Sequence, residues 1–144
     1  MFNNYNSYEE DFISFSRECV QRGEELLNSL VPGWFHRVAP YDIDMLDNQK
    51  CVLGQVYSDI ELREQFAKDY GFILDFDSRE SDGYDFFRDY VFPTLKLEEN
   101  MVYYGFEINP NDLYGTKMLR QQSAAYQVLS QAWFRVVEGL IVSS

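Results

Sequence analysis

Residues 116–140, TKMLRQQSAAYQVLSQAWFRVVEGL, carry the most regular helical pattern in the chain, and the fold class turns on them. At about 100° per residue, Met118, Ala125, Tyr126, Leu129, Ala132, Trp133, Val136 and Leu140 fall in one apolar stripe, with Arg120, Gln127, Gln131 and Glu138 opposite. Only Gln122 interrupts the stripe; Leu119, Val128 and Val137 flank it, and Phe134 and Ile141 lie well outside. The spacing predicts a helix with one buried face. Trp133 and Leu129 anchor it, their burial being worth several kcal/mol at about 25 cal/mol per Å².

A second long helix is expected near the start. Ser7 and Glu10 match a capping box, Glu9 and Asp11 suit the first turn, and Tyr8, Phe12, Phe15, Cys19, Gly23, Leu26 and Leu30 form the apolar stripe. Gly23 weakens a helix by roughly 1 kcal/mol against Ala but lets another helix approach closely. Pro32 and Gly33 end it. Trp34 to Ala39 reads as a tight apolar corner, and 41–47 as a short strand or an irregular loop. Cys51 to Tyr57 is an apolar helical turn. Ser58 with Glu61 predicts a helix over 58–70, with Leu62, Phe66 and Tyr70 stacked along it and Gly71 as its stop.

Phe72 to Leu74 and Met101 to Ile108 have strand-like content. Between them lies an acidic and aromatic stretch, read as a loop and then a short helix over 84–90 that Pro93 ends. Asn109-Pro110 predicts a cap and one helical turn.

The formal net charge is −12, unevenly spread. Acidic against basic residues number 9 to 4 in residues 1–50, 14 to 5 in 51–112 and 1 to 3 in 113–144. An acidic body repels nucleic acid backbones and anionic membranes and attracts basic proteins and cations. The same charge also keeps a chain with 12 Phe and 11 Tyr in solution. No apolar run approaches the roughly 18 residues of a membrane span, no signal-peptide pattern opens the sequence, and its two cysteines form no metal pattern. A cytoplasmic protein with reduced thiols is expected.

Catalytic constellations are sparse. Cys51 with His36 as base, oriented by Asp42 or Asp44, is the one candidate thiol dyad, but Val52 and Leu53 beside it favour a small buried hydrophobe. Cys19 reads as core. Asp75-Phe76-Asp77 and Asp42-Ile43-Asp44 each space two carboxylates for a cation, without the glycine and glutamate of a calcium loop. No glycine run cradles phosphate, and no nucleophile elbow presents a serine. The distinctive surface is instead 75–90. Its carboxylates imitate phosphate spacing if they face solvent, with aromatics as anchors between them; turned inward, the aromatics are core under a solvated face.

Five runs resemble a group of small uncharacterised proteins from actinobacteria and their phages: Val31-Pro32-Gly33-Trp34, Ile43-Asp44-Met45-Leu46, Cys51-Val52-Leu53-Gly54-Gln55-Val56-Tyr57, Tyr104-Gly105-Phe106-Glu107 and Leu129-Ser130-Gln131-Ala132-Trp133. The similarity covers about residues 26–137, with the Cys-Val-Leu-Gly-Gln run its most specific part. No activity follows from it. It implies a phage-type accessory protein, in which an acidic chain aimed at a host factor makes sense.

The fold expected is mainly α in one domain, 1–144, with frayed residues 1–6 and an acidic insert at 75–90. Long N- and C-terminal helices pack together, 51–70 completes a three-helix core, and a two-stranded element from 72–74 and 101–108 makes α+β the alternative. The function expected is a non-enzymatic acidic protein-binding module without cofactor or metal, its sharpest form a nucleic acid mimic that inhibits a basic host or defence protein. Its partner-binding residues would be Asp75, Asp77, Glu80, Asp82, Tyr84, Asp85, Phe87 and Asp89. The alternatives are a small enzyme using Cys51 and a subunit self-associating through Phe134 and Ile141.

Overall fold

The computed structural model describes the backbone of residues 4–113 and 122–144, and side chains from Glu9 onward within those limits. Helix α1 runs Asn4–Leu30 and α7 Gln122–Ser143. The part of the terminal helix expected at 116–121 lies outside the described residues. Nothing in Asn4 to Asn6 breaks a helix, and α1 starts ahead of the Ser7 box. Its buried row is Phe12, Ser16, Cys19, Val20, Gly23 and Leu27, rotated slightly from the expected stripe, so that Phe15 sits at the edge with about a third of its surface open.

Phe12 clusters with Ala125 and Gly23 meets Trp133, so α1 and α7 lie side by side and run in the same direction. A Cβ on Gly23 would run into the Tyr104 carbonyl oxygen and come within 2.8 Å of the Trp133 ring. The expected close approach at Gly23 is therefore present, made by a loop as well as a helix. Ala125, Leu129, Ala132, Trp133 and Val137 are the buried residues of α7.

Trp133 organises the core. Its ring stacks on Phe106 at 5.7 Å and 9°, takes an edge contact from Trp34 at 5.9 Å, and its Nε1–H donates to the Gly105 carbonyl at 2.7 Å. Phe106 belongs to 101–108, where a strand was a possibility. Among the described residues there is no strand, and the chain is mainly α. Residues 101–107 form turns instead, because Asn100 Oδ1 accepts from Tyr103 N–H, Gly105 takes a left-handed φ of 74°, and no neighbouring strand offers a ladder. Residues 72–74 are an irregular link in which only Leu74 is buried.

The middle segment forms two helices, α2 Val52–Val56 and α3 Ile60–Tyr70. Asp59, one residue past the expected Ser58, caps α3 by accepting from Glu61 N–H at 2.9 Å, and Gly71 ends it with φ 76°. Short helical pieces follow: α4 Phe76–Glu80, α5 Gly83–Phe86, a wider π turn at Phe87–Val91, and α6 Phe92–Leu95. Pro93 therefore does not end the run begun near Tyr84. It lacks the N–H that an α-helix would aim at Asp89, and the π turn just before it accommodates that gap. Residues 40–42 form a single tight turn, settling 41–47 as irregular, and Asn109 Oδ1 accepts from Asn111 N–H ahead of the expected turn, Pro110–Leu113. Among the described residues no helix is long and apolar enough to cross a membrane.

Candidate functional site on the acidic edge

The stretch 75–90 starts from two local devices that its sequence also encodes. Asp75 Oδ1 accepts from Ser78 N–H at 2.8 Å and from its hydroxyl at 3.0 Å, starting α4; Asp82 Oδ1 accepts from Asp85 N–H at 2.7 Å, starting α5. The Asp-x-x-Ser and Asp-x-x-Asp spacings were the available signal for these caps, and α4 replaces the expected loop. Bonding to Ser78 holds the Asp75 carboxyl below its usual range.

One buried cation fastens this edge to the body. Arg63, 3% exposed on α3, donates from Nε to the Tyr57 carbonyl at 2.7 Å and from Nη1 to the Ser78 and Arg79 carbonyls at 3.1 Å each. Its guanidinium also lies 4.9 Å from the centre of the Phe86 ring. Sequence reasoning missed Arg63, although it sits between Leu62 and Phe66 on the apolar side of α3. Burial lowers its pKa, opposed by the charges of Asp82 and Glu80.

The eight expected contact residues divide. Phe87 is fully buried against Tyr57, Phe92 and Phe106, so it is core and not a contact in this fold. Every side of it is covered because the π turn points it inward with Phe86. Tyr84 is half-buried and donates its hydroxyl to Glu107; burial first, then Glu107, pushes its pKa up. Glu80 and Asp82 lie within electrostatic reach of Arg63 and among the described residues form no ion pair with it, while Asp85 and Asp89 share Arg88 at 3.3 and 2.9 Å. Arg88 holds Asp89 below the usual carboxylate range, whereas burial, then Asp82, raises Asp85. Asp75, Asp77 and Asp89 stand close enough to Tyr90 to add to the rise that burial gives its hydroxyl.

Around that last group lie apolar side chains in water. Ile73 is 91% exposed, Phe76 76% and Tyr70 49%. Phe76 was expected among the interleaved aromatics; Ile73, read as strand, was missed. Among the described residues neither Asp75 nor Asp77 is in an ion pair. The edge therefore offers two exposed apolar side chains, Ile73 and Phe76, with carboxylates that form no ion pair on either side of Phe76 in sequence.

The thiol reading meets a different environment. Cys51 is 2% exposed and its Sγ accepts from Gly54 N–H at 3.2 Å, capping α2. Burial outweighs that bond and pushes its pKa up to about 12, the opposite of what a thiolate nucleophile needs. His36 is exposed and packs on Phe35, Asp42 is exposed, and Asp44 Oδ1 accepts from Leu46 N–H. Cys19 is buried beneath Arg22, whose Nη2 donates to its sulfur at 3.3 Å. Among the described residues no three His, Cys, Asp or Glu side chains gather as a metal-holding group. In comparisons with family models, curated proteins and solved structures the chain matches none, so the acidic edge stands on its own geometry.

Proposed function

We propose that this chain is a non-enzymatic, acidic protein-binding module that receives a basic, amphipathic segment of its partner on the edge formed by residues 73–90. The observation carrying this reading is the exposure of Ile73 and Phe76 beside Asp75 and Asp77. Covering one such side chain is worth about 1.5–3 kcal/mol, enough to make it an anchor. The surrounding carboxylates, within a net charge of −12, steer lysine- and arginine-rich chains toward it. The nucleic acid mimic is the narrower form of this reading. It asks for free carboxylates at regular intervals, whereas Asp75 and Asp82 serve as caps and Asp85 and Asp89 share Arg88. An apolar tip in an acidic collar suits a basic amphipathic segment better.

The test is calorimetric titration with a short peptide carrying leucines on one face and lysines on the other. Binding is expected to weaken as salt rises, to fall about tenfold or more in Ile73→Ser/Phe76→Ala, and to fall less in Asp77→Asn/Asp89→Asn, which spares both caps. Equal affinity for the wild type and both variants rejects the reading.

A further inference from the structure

A second surface carries the opposite sign. Between α1 and α7 lies a groove of about 210 Å³ lined by Ile13, Arg17, Val128, Gln131, Ala132 and Arg135. Its lining is largely apolar, and its two cations come one from each helix. Among the described residues neither Arg17 nor Arg135 is in an ion pair, and residues 1–8 and 114–121 contain no Asp or Glu to supply one. In a chain of net charge −12 two such guanidiniums at one groove are conspicuous. Pockets for drug-sized ligands run about 300–1,000 Å³, so this one has room for a single large side chain with its flanks in solvent.

The described surface contains a segment of that chemistry. Asp75-Phe76-Asp77 presents one exposed ring, on the first turn of α4, with a carboxylate on either side in sequence and Ile73 nearby. We infer that the groove receives this tip from a second copy of the chain, Phe76 entering over Ile13, Val128 and Ala132 while Asp75 and Asp77 meet Arg17 and Arg135. The pairing rests on the reading of the 73–77 tip as a contact surface and names the partner surface that the molecule itself supplies. Arginine suits the role because its planar fork takes carboxylates in pairs of hydrogen bonds. Since tip and groove are different patches, one such contact leaves a free tip on one copy and a free groove on the other. It is small, and the like charge of the two copies opposes it, so association is weak and concentration-dependent.

Sedimentation equilibrium over about 10 µM to 1 mM, the range in which a contact this small dissociates, reads the result. The wild type is expected to rise in mean mass with concentration, while Phe76→Ala and the double variant Arg17→Glu/Arg135→Glu stay monomeric with unchanged far-UV circular dichroism. Mixing the two monomeric variants restores one contact, tip of the arginine variant into groove of the other, and gives a dimer that grows no further. A monomeric wild type at every concentration, association retained in Phe76→Ala, or no dimer on mixing overturns the proposal. The arginine variant keeps its 73–77 tip, so its binding of the lysine-rich peptide reports on the functional reading separately.

Discussion

Two aromatic regions of this protein behave in opposite ways. Around Trp133 the rings of Trp34, Phe106 and Phe87 are fully covered, and the indole N–H is bonded to Gly105. At 73–77, a few residues from the same core, Phe76 and Ile73 stand in solvent among carboxylates. The difference does not lie in residue type. A ring is buried here when rings from other segments close over it, as Tyr57, Phe92 and Phe106 do over Phe87, and exposed where, among the described residues, no such ring reaches it, as at Phe76. Capping does not decide it: Asp75 starts the helix in which Phe76 faces water, and Asp82 starts the run in which Phe86 and Phe87 are core.

The widest separation between the two regions comes from matched truncations. Phe87→Ala is expected to destabilise by about 3–5 kcal/mol, as full burial of a large ring implies, and Phe76→Ala by less than about 0.5 kcal/mol. Urea denaturation checks both, and similar losses would erase the contrast. Gly23→Ala comes next, at about 2–3 kcal/mol, because the new methyl group meets backbone at Tyr104 as well as the Trp133 ring. A neutral result would mean that the loop at 101–106 yields easily.

Titration gives a second comparison, between the buried tyrosines and the capping or paired aspartates. Burial raises the pKa of Tyr57, Tyr84, Tyr104 and Tyr126 in the folded protein. For a group with a raised folded pKa the stabilisation is complete below the unfolded value, about 10 for Tyr, and lost as pH climbs above it. Stability is therefore expected to fall above about pH 10 by up to 1.4 kcal/mol per pH unit for each tyrosine involved. Tyr57→Phe should flatten that slope. Of the edge aspartates, Asp75 and Asp89 have lowered values, so their contribution is present above about pH 4 and fades on acidification, as unfolding followed from pH 7 to 3 would show, while Asp85, raised by burial, works against it.

The smallest effect concerns the thiols. With Cys51 pushed up to about 12 and Cys19 raised by burial, the thiolate fraction at pH 8 is small, and iodoacetamide is expected to modify neither until urea is added. Rapid native labelling of Cys51 would bring the thiol chemistry back.

Much of the architecture was legible because helical periodicity and punctuation are local. The apolar spacing from Ala125 to Leu140 depends on nothing outside its own helix, nor does the stop at Gly71, where a left-handed residue is needed, nor the turn set by Asn109-Pro110. Strand content at 101–108 misled for the converse reason. A strand exists only with a partner, and Trp133 offers that segment a stack on Phe106 and an N–H for Gly105 instead of a ladder. The candidate site was half legible. Its acidic and aromatic composition could be read in order along the chain, but which rings face water could not.

By itself the amino-acid sequence determined a mainly helical chain with two long apolar-faced helices and a strongly acidic middle. Only the tertiary structure decided that Phe87 is core and Phe76 is surface, that Arg88 is shared by two aspartates, and that Arg17 and Arg135 meet at one groove. The physical reason is that caps and periodicity are set by neighbours within one turn, whereas burial and charge pairing depend on which distant segment arrives opposite.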